Sequence, residues 1–148
     1  MNLRCVTYVP KFSAGNSAKK DIEIGITHGV VGCGSKVFNA SKTGDYVVIN
    51  GNDHHQKYVV IGILGEKLES CDKWVVEGGH EWSYNWTYQP LTRLFIYDQE
   101  TKSEVTRLAQ ELSQDQEEKL NPNCLFNSRF CSKKLKPLVD MLIAKFQI

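Results

Sequence analysis

The chain has 148 residues, with 18 Lys and Arg against 17 Asp and Glu for a formal net charge of +1. That length predicts one domain, residues 1–148, able to bury a core without disulfide or metal staples. The charge balance excludes a global electrostatic pull toward nucleic acid, so any such contact must come from a local patch, and no apolar run is long enough to span a bilayer.

The first residues lack a basic start followed by a long apolar stretch, so a cytoplasmic or nuclear location is expected. The five cysteines, Cys5, Cys33, Cys71, Cys124 and Cys131, are an odd and scattered set, a poor disulfide framework. The sequons at Asn39 and Asn85 matter only in a secreted chain.

Leu3 to Val9 reads as a first strand ending at Pro10. The following segment, through Gly34, reads as a long glycine- and serine-bearing loop with a short helix in it. "SKVFNASKTGD" predicts one or two helical turns capped by Ser35, then a turn at Thr43-Gly44-Asp45. "DYVVIN" and "KYVVIGILGEKLES" are nearly continuous apolar runs rich in β-branched residues, so they predict two strands buried on both faces or inside a small barrel. "GNDHHQ" between them is a hairpin loop. Trp74 to Val76 reads as strand and "EGGH" as a turn. In "WSYNWTYQP", Trp82, Tyr84, Trp86 and Tyr88 alternate as the aromatic face of one strand, interrupted at Pro90. "LTRLFIY" predicts another strand. Val105, Leu108 and Leu112 stand at helical spacing, and "NPNCLFNSRFC" reads as loop. A C-terminal amphipathic helix follows, with Leu135, Leu138, Val139, Leu142, Ile143 and Phe146 as its apolar stripe, Ser132 as its cap and Pro137 near its first turn. The fold class expected is α+β, a small twisted β-barrel flanked by helices.

The order of strand, glycine loop, short helix, Gly-Asp strand, Ile-Gly strand, aromatic segment and C-terminal helix resembles the EVE domains of the PUA-like superfamily, which are related to YTH domains. His28-Gly29-Val30 resembles the family's Trp-Gly-Val, with His28 in place of its tryptophan. "ASKTGDYVVI" resembles its short helix and Gly-Asp strand, and "YVVIGILGE" its strand with a Val-Gly or Ile-Gly pair before a bend. The resemblance implies a pocket for a modified base of DNA or RNA. YTH domains hold a methylated adenine in an aromatic cage, and EVE domains are thought to read modified bases.

The residues themselves offer walls for such a pocket. All three tryptophans fall between Trp74 and Trp86, and a base stacked on an aromatic ring gains about 1–3 kcal/mol. Trp74, Trp82, Tyr84 and Trp86 are the candidate walls, weighed against ordinary core packing. Asn16, Ser17, Asn39 and Asp98 are candidates for the polar edge, with the backbone at Gly29 and Val30 and the ring of His28 beside them; their alternatives are loop solvation, capping and a satisfied buried histidine. Lys36, Lys42, Arg129, Lys133 and Lys134 are candidate phosphate contacts, which position a strand without specifying it. Asp53-His54-His55 reads as a solvated turn, not a metal site. Neither a cofactor fingerprint nor a catalytic signature is present.

The expected function is non-catalytic capture of a modified, for example methylated, base, with any effector supplied in trans. The alternatives are an aromatic groove for a peptide or methylated lysine, and a small enzyme acting on a nucleoside or amide through a lysine or through Cys33, with His28 near it in sequence.

Overall fold

The computed structural model describes residues 1–9 and 15–148; the end of the first strand expected at Pro10, and the loop expected after it through residue 14, lie outside them. Seven strands form one mixed sheet: β1 (Leu3–Tyr8), β2 (Val30–Cys33), β3 (Tyr46–Asp53), β4 (Gln56–Leu68), β5 (Tyr84–Pro90), β6 (Phe95–Ile96) and β7 (Phe130–Cys131). The hydrogen-bonded order is β2-β5-β4-β3-β1-β7, with β6 also on β4. Only β1 and β3 run parallel; the other pairs are antiparallel. The helices are α1 (Ala18–His28), α2 (Ser35–Ala40), α3 (Lys73–Val76), α4 (Gln99–Asp115), α5 (Cys124–Asn127) and α6 (Lys136–Phe146). The chain is α+β, as its sequence indicates.

The central strands are apolar on both faces because both are covered. Leu3, Val48, Val59 and Ile61 face one core with Val105, Ala109, Leu138, Val139 and Leu142 of α4 and α6. Val6, Tyr8, Val47, Ile49, Val60 and Leu64 face the other, with Ala18 and Ile22 of α1. Each fully buried Val, Leu or Ile side chain among them is worth about 1.5–3 kcal/mol.

The second core also takes Val31 and Cys33 of β2 and Trp86 and Tyr88 of β5. The sheet therefore curls, and β1 and β2, far apart along the ladder, face each other across this core. The Gly32 N–H donates to the Tyr8 hydroxyl at 3.1 Å. The ladder nevertheless runs from β2 to β7 without closing among the described residues. At its other end, β7 pairs only with Leu3 and Arg4 of β1, plus one bond from Cys5 N–H to the Arg129 carbonyl. Beyond Cys5 this edge of β1 has no partner strand among the described residues.

Several elements differ from the sequence expectation. The long loop before Gly34 contains an eleven-residue helix, α1, and the strand β2. The Ser17 side chain accepts from Lys20 N–H, Asp21 sits in the first turn, and Gly29 closes the helix in the left-handed region at φ 63°. Gly25 and a buried Asp21 obscured its apolar stripe. Trp74 to Val76 is helix, not strand; one turn suffices to seat Trp74 against Ile24 and Val30. The expected "LTRLFIY" strand shrinks to Phe95–Ile96, because Leu91 and Thr92 N–H groups instead meet the Ile61 carbonyl. The "NPNCLFNSRFC" segment supplies α5 and β7. The β3–β4 hairpin is tighter than expected: strand pairing runs to Asp53↔Gln56, and His54 and His55 turn the chain at φ 46° and 74°. Ser132 caps a 3-10 turn, Lys133–Leu135, that leads into α6.

Candidate functional site

The three tryptophans have three different roles. Trp74 has 0% of its surface exposed, and its Nε1–H donates to Asn85 Oδ1 at 2.9 Å. Asn85 is itself buried, and its Nδ2 donates to the Trp82 carbonyl at 2.9 Å. Trp74 therefore braces the segment that carries Trp82. Trp86 is 3% exposed within the second core, with its Nε1 donating to the Phe38 carbonyl at 3.4 Å. Tyr84 is 40% exposed and packs on Phe38, ring centroids 5.3 Å apart. Tyr84, Trp86 and Tyr88 keep the period-two alternation of β5, whereas Trp82 precedes the strand.

Trp82 alone of the three is only half-buried, and it lines a cavity of about 320 Å³. The near end of its indole crowds Gly32: a β-carbon there would overlap the Trp82 Cγ, Cβ and Cδ1. Tyr8 supports the ring at 4.8 Å with a 33° tilt, and His80 meets it edge-on at 5.0 Å. The His80 N–H is held in turn by the Asp21 carboxylate at 2.9 Å, and burial raises the pKa of that carboxyl. The Trp82 Nε1 is buried and has no hydrogen-bond partner among the described residues. An unsatisfied buried donor costs about 1–3 kcal/mol, so the ring is held in place by packing.

The rest of the cavity includes the edge of β1 that has no partner strand beyond Cys5 among the described residues: Cys5, Val6 and Thr7 line it with Gly34, Val37, Asn127 and Arg129. The Thr7 hydroxyl donates to the Phe126 carbonyl at 3.0 Å, which fixes α5 beside it. A shallower cleft of about 220 Å³, lined by Gly34, Ser35, Lys36, Val37 and Arg129, continues from it through three shared residues. Two cations, Arg129 and Lys36, thus stand along one continuous recess, and no carboxylate lines either part among the described residues. A volume near 300 Å³ lies at the lower end of the range for small-ligand sites, about 300–1,000 Å³.

Compared with known proteins, the chain matches no family model and no curated protein.

Of the residues expected at a site, the structure brings Trp82, Lys36 and Arg129 together. The others serve elsewhere. Ser17 caps α1, and Asn16 is half-buried just before it. His28 Nε2 pairs with Glu77 Oε1 at 3.0 Å. The Gly29 carbonyl accepts from Tyr88 N–H at 2.8 Å, and Val30 is buried against Trp74. Asn39 is exposed on α2. Asp98 caps α4 by accepting from Thr101 N–H at 2.9 Å. Lys42 and Lys133 are exposed, and Lys134 pairs with Glu118. The Asp53 carboxylate accepts from the Ala18 and Lys19 N–H groups at 2.8 and 2.9 Å, tying the β3–β4 turn to the start of α1.

The lining residues missed in the sequence are Cys5, Val6, Thr7, Gly34, Val37 and Asn127. Val6 and Val37 look like any core residue in sequence, and only the lack of a further strand partner for β1 among the described residues opens their surroundings. Cys33 is buried, and burial pushes its thiol up to about 12. That is the reverse of the shift that activates a nucleophilic cysteine.

Proposed function

We propose that this chain is a nucleic-acid-binding module that captures a single base, a modified one, in the cavity beside Trp82. The observation that carries this reading is the recess itself. It combines one partly exposed indole, held rigid by Gly32 and Tyr8, with an open strand edge and two cations. The indole stacks on the base, the hydroxyl and amide of Thr7 and Asn127 meet its polar edge, and Arg129 and Lys36 hold phosphates. No catalytic step is part of the reading; an effector, where one acts, is supplied in trans. The curl that brings β1 opposite β2 supports the finer reading of the fold as PUA-like, related to EVE and YTH domains, with the cavity lying at the open seam between those strands.

A methylated-lysine or peptide groove is the less favoured alternative. Such a ligand brings a cation to a recess that already holds Arg129 and Lys36 without a carboxylate. An enzyme working through Cys33 needs a thiolate that burial opposes.

The test is a tryptophan-fluorescence titration with short single- and double-stranded oligonucleotides, bearing methylated, hydroxymethylated or unmodified bases. Saturable quenching by one modified base is expected. Trp82→Ala weakens it by roughly five- to a hundred-fold, the loss of one stacking partner, with the circular dichroism spectrum retained. A flat response across the panel refutes the reading.

A further inference from the structure

A second cavity, of about 300 Å³, shares Asn127 of α5 with the first. It is walled by the β3–β4 hairpin, α4 and α5. Lys57 and Lys102 both line it, with His55, the three asparagines Asn52, Asn123 and Asn127, and Tyr97 and Phe126. We propose that this cavity is a phosphate-binding site.

Three observations carry the assignment. First, no carboxylate lines the cavity among the described residues, although acidic residues make up 17 of the 148. Second, neither Lys57 nor Lys102 forms an ion pair among the described residues, whereas Lys19, Lys134, Lys136 and Lys145 each face a carboxylate. Third, Lys57 is partly withdrawn from water, with its Nζ 5.4 Å from the centroid of the Phe126 ring. Desolvation, with a further contribution from the charge of Lys102, lowers its pKa. Two ammonium groups that repel one another across one hollow are a poor arrangement for stability alone. An oxyanion removes the repulsion and accepts hydrogen bonds from both lysines and the amides together.

The assignment deepens the nucleic-acid reading and rests on it for the source of the phosphate. Asn127 lines both cavities, so a strand whose base enters beside Trp82 passes the second cavity with its backbone. A free phosphorylated small molecule offers the same chemistry, and the experiment separates the two.

The first arm follows the side-chain amide signals of Asn52, Asn123 and Asn127 by NMR during titration with inorganic pyrophosphate at constant ionic strength. The second arm measures binding of a short oligothymidylate against salt concentration. The variants are Lys102→Gln, on the exposed face of α4, the double change Lys57→Gln with Lys102→Gln, and Lys57→Arg to restore the charge. Saturable amide shifts with pyrophosphate, lost in the double variant and kept with Lys57→Arg, establish the site and point to a phosphorylated small molecule if the salt dependence is unchanged. A salt dependence shallower by about 0.7 per lysine removed, roughly 1.4 for the double variant, establishes the site as a phosphodiester contact. Neither response, in variants that melt as cooperatively as the parent, overturns the proposal. Trp82→Ala leaves the pyrophosphate shifts intact, so failure of base capture and failure of this site are separable.

Discussion

Gly32 shows how much one missing side chain decides. It lies in β2 opposite Asn85, and its α-carbon is where the Trp82 indole rests, with no room for a β-carbon. Gly32→Ala therefore drives the indole off its seat. The expected cost is about 1–3 kcal/mol in urea denaturation, as for other overpacked sites, and oligonucleotide binding falls with the ring's displacement even where the fold survives. Unchanged binding in a folded Gly32→Ala protein would place the ligand somewhere other than on Trp82. The tryptophans themselves were plain in the sequence, but their roles were not. Trp74 and Trp82 differ in exposure because Asn85 bonds one indole nitrogen and the other residue's carbonyl. That partnership spans residues whose relation depends on where α3 packs.

Among the elements, the strands β1, β3 and β4 and the helices α4 and α6 were legible because their apolar patterns agree with their local propensities. The helix α1 was legible only as a short helix somewhere in a long loop, since a glycine and a buried aspartate interrupt its stripe and its stop signal, Gly29, sits among other glycines. The start of α4 offers a direct check on capping. Asp98 accepts from Thr101 N–H, and those bonds hold its carboxyl below the usual value. Because the folded-state value is lowered, its stabilisation is present at pH values above the unfolded carboxylate's and is lost as pH falls through the lowered folded one. Asp98→Ala is thus expected to lower the melting temperature at pH 7, with the gap to the parent closing on acidification. A gap that persists below pH 2 would show that the cap acts through packing and not through charge.

At the scale of the whole molecule, the sheet separates two cores, and both thiols with strongly raised pKa values belong to them or their margins. Cys33 lies in the core under the curl, and Cys131 packs against the other. Burial pushes each up to about 12. Iodoacetamide at pH 8, followed by peptide mapping, is expected to label the half-exposed Cys71 first and Cys33 only as the protein unfolds globally in denaturant. Labelling of Cys33 as fast as Cys71 would mean that β2 opens independently of the rest.

Local physics, read from the sequence alone, determined that this chain forms an α+β domain. Continuous β-branched runs demand a sheet covered on both faces, and the stripe from Leu135 to Phe146 demands a helix laid against one of them. Composition also placed aromatic rings ahead of β5. Tertiary structure alone decided which ring reaches solvent, that the ladder stays open beside β1 among the described residues, and that Thr7, Asn127 and Arg129 meet Trp82 there. The reason is distance along the chain: the cavity joins residues from 5 to 129, and no periodicity or short motif encodes an edge left without a partner.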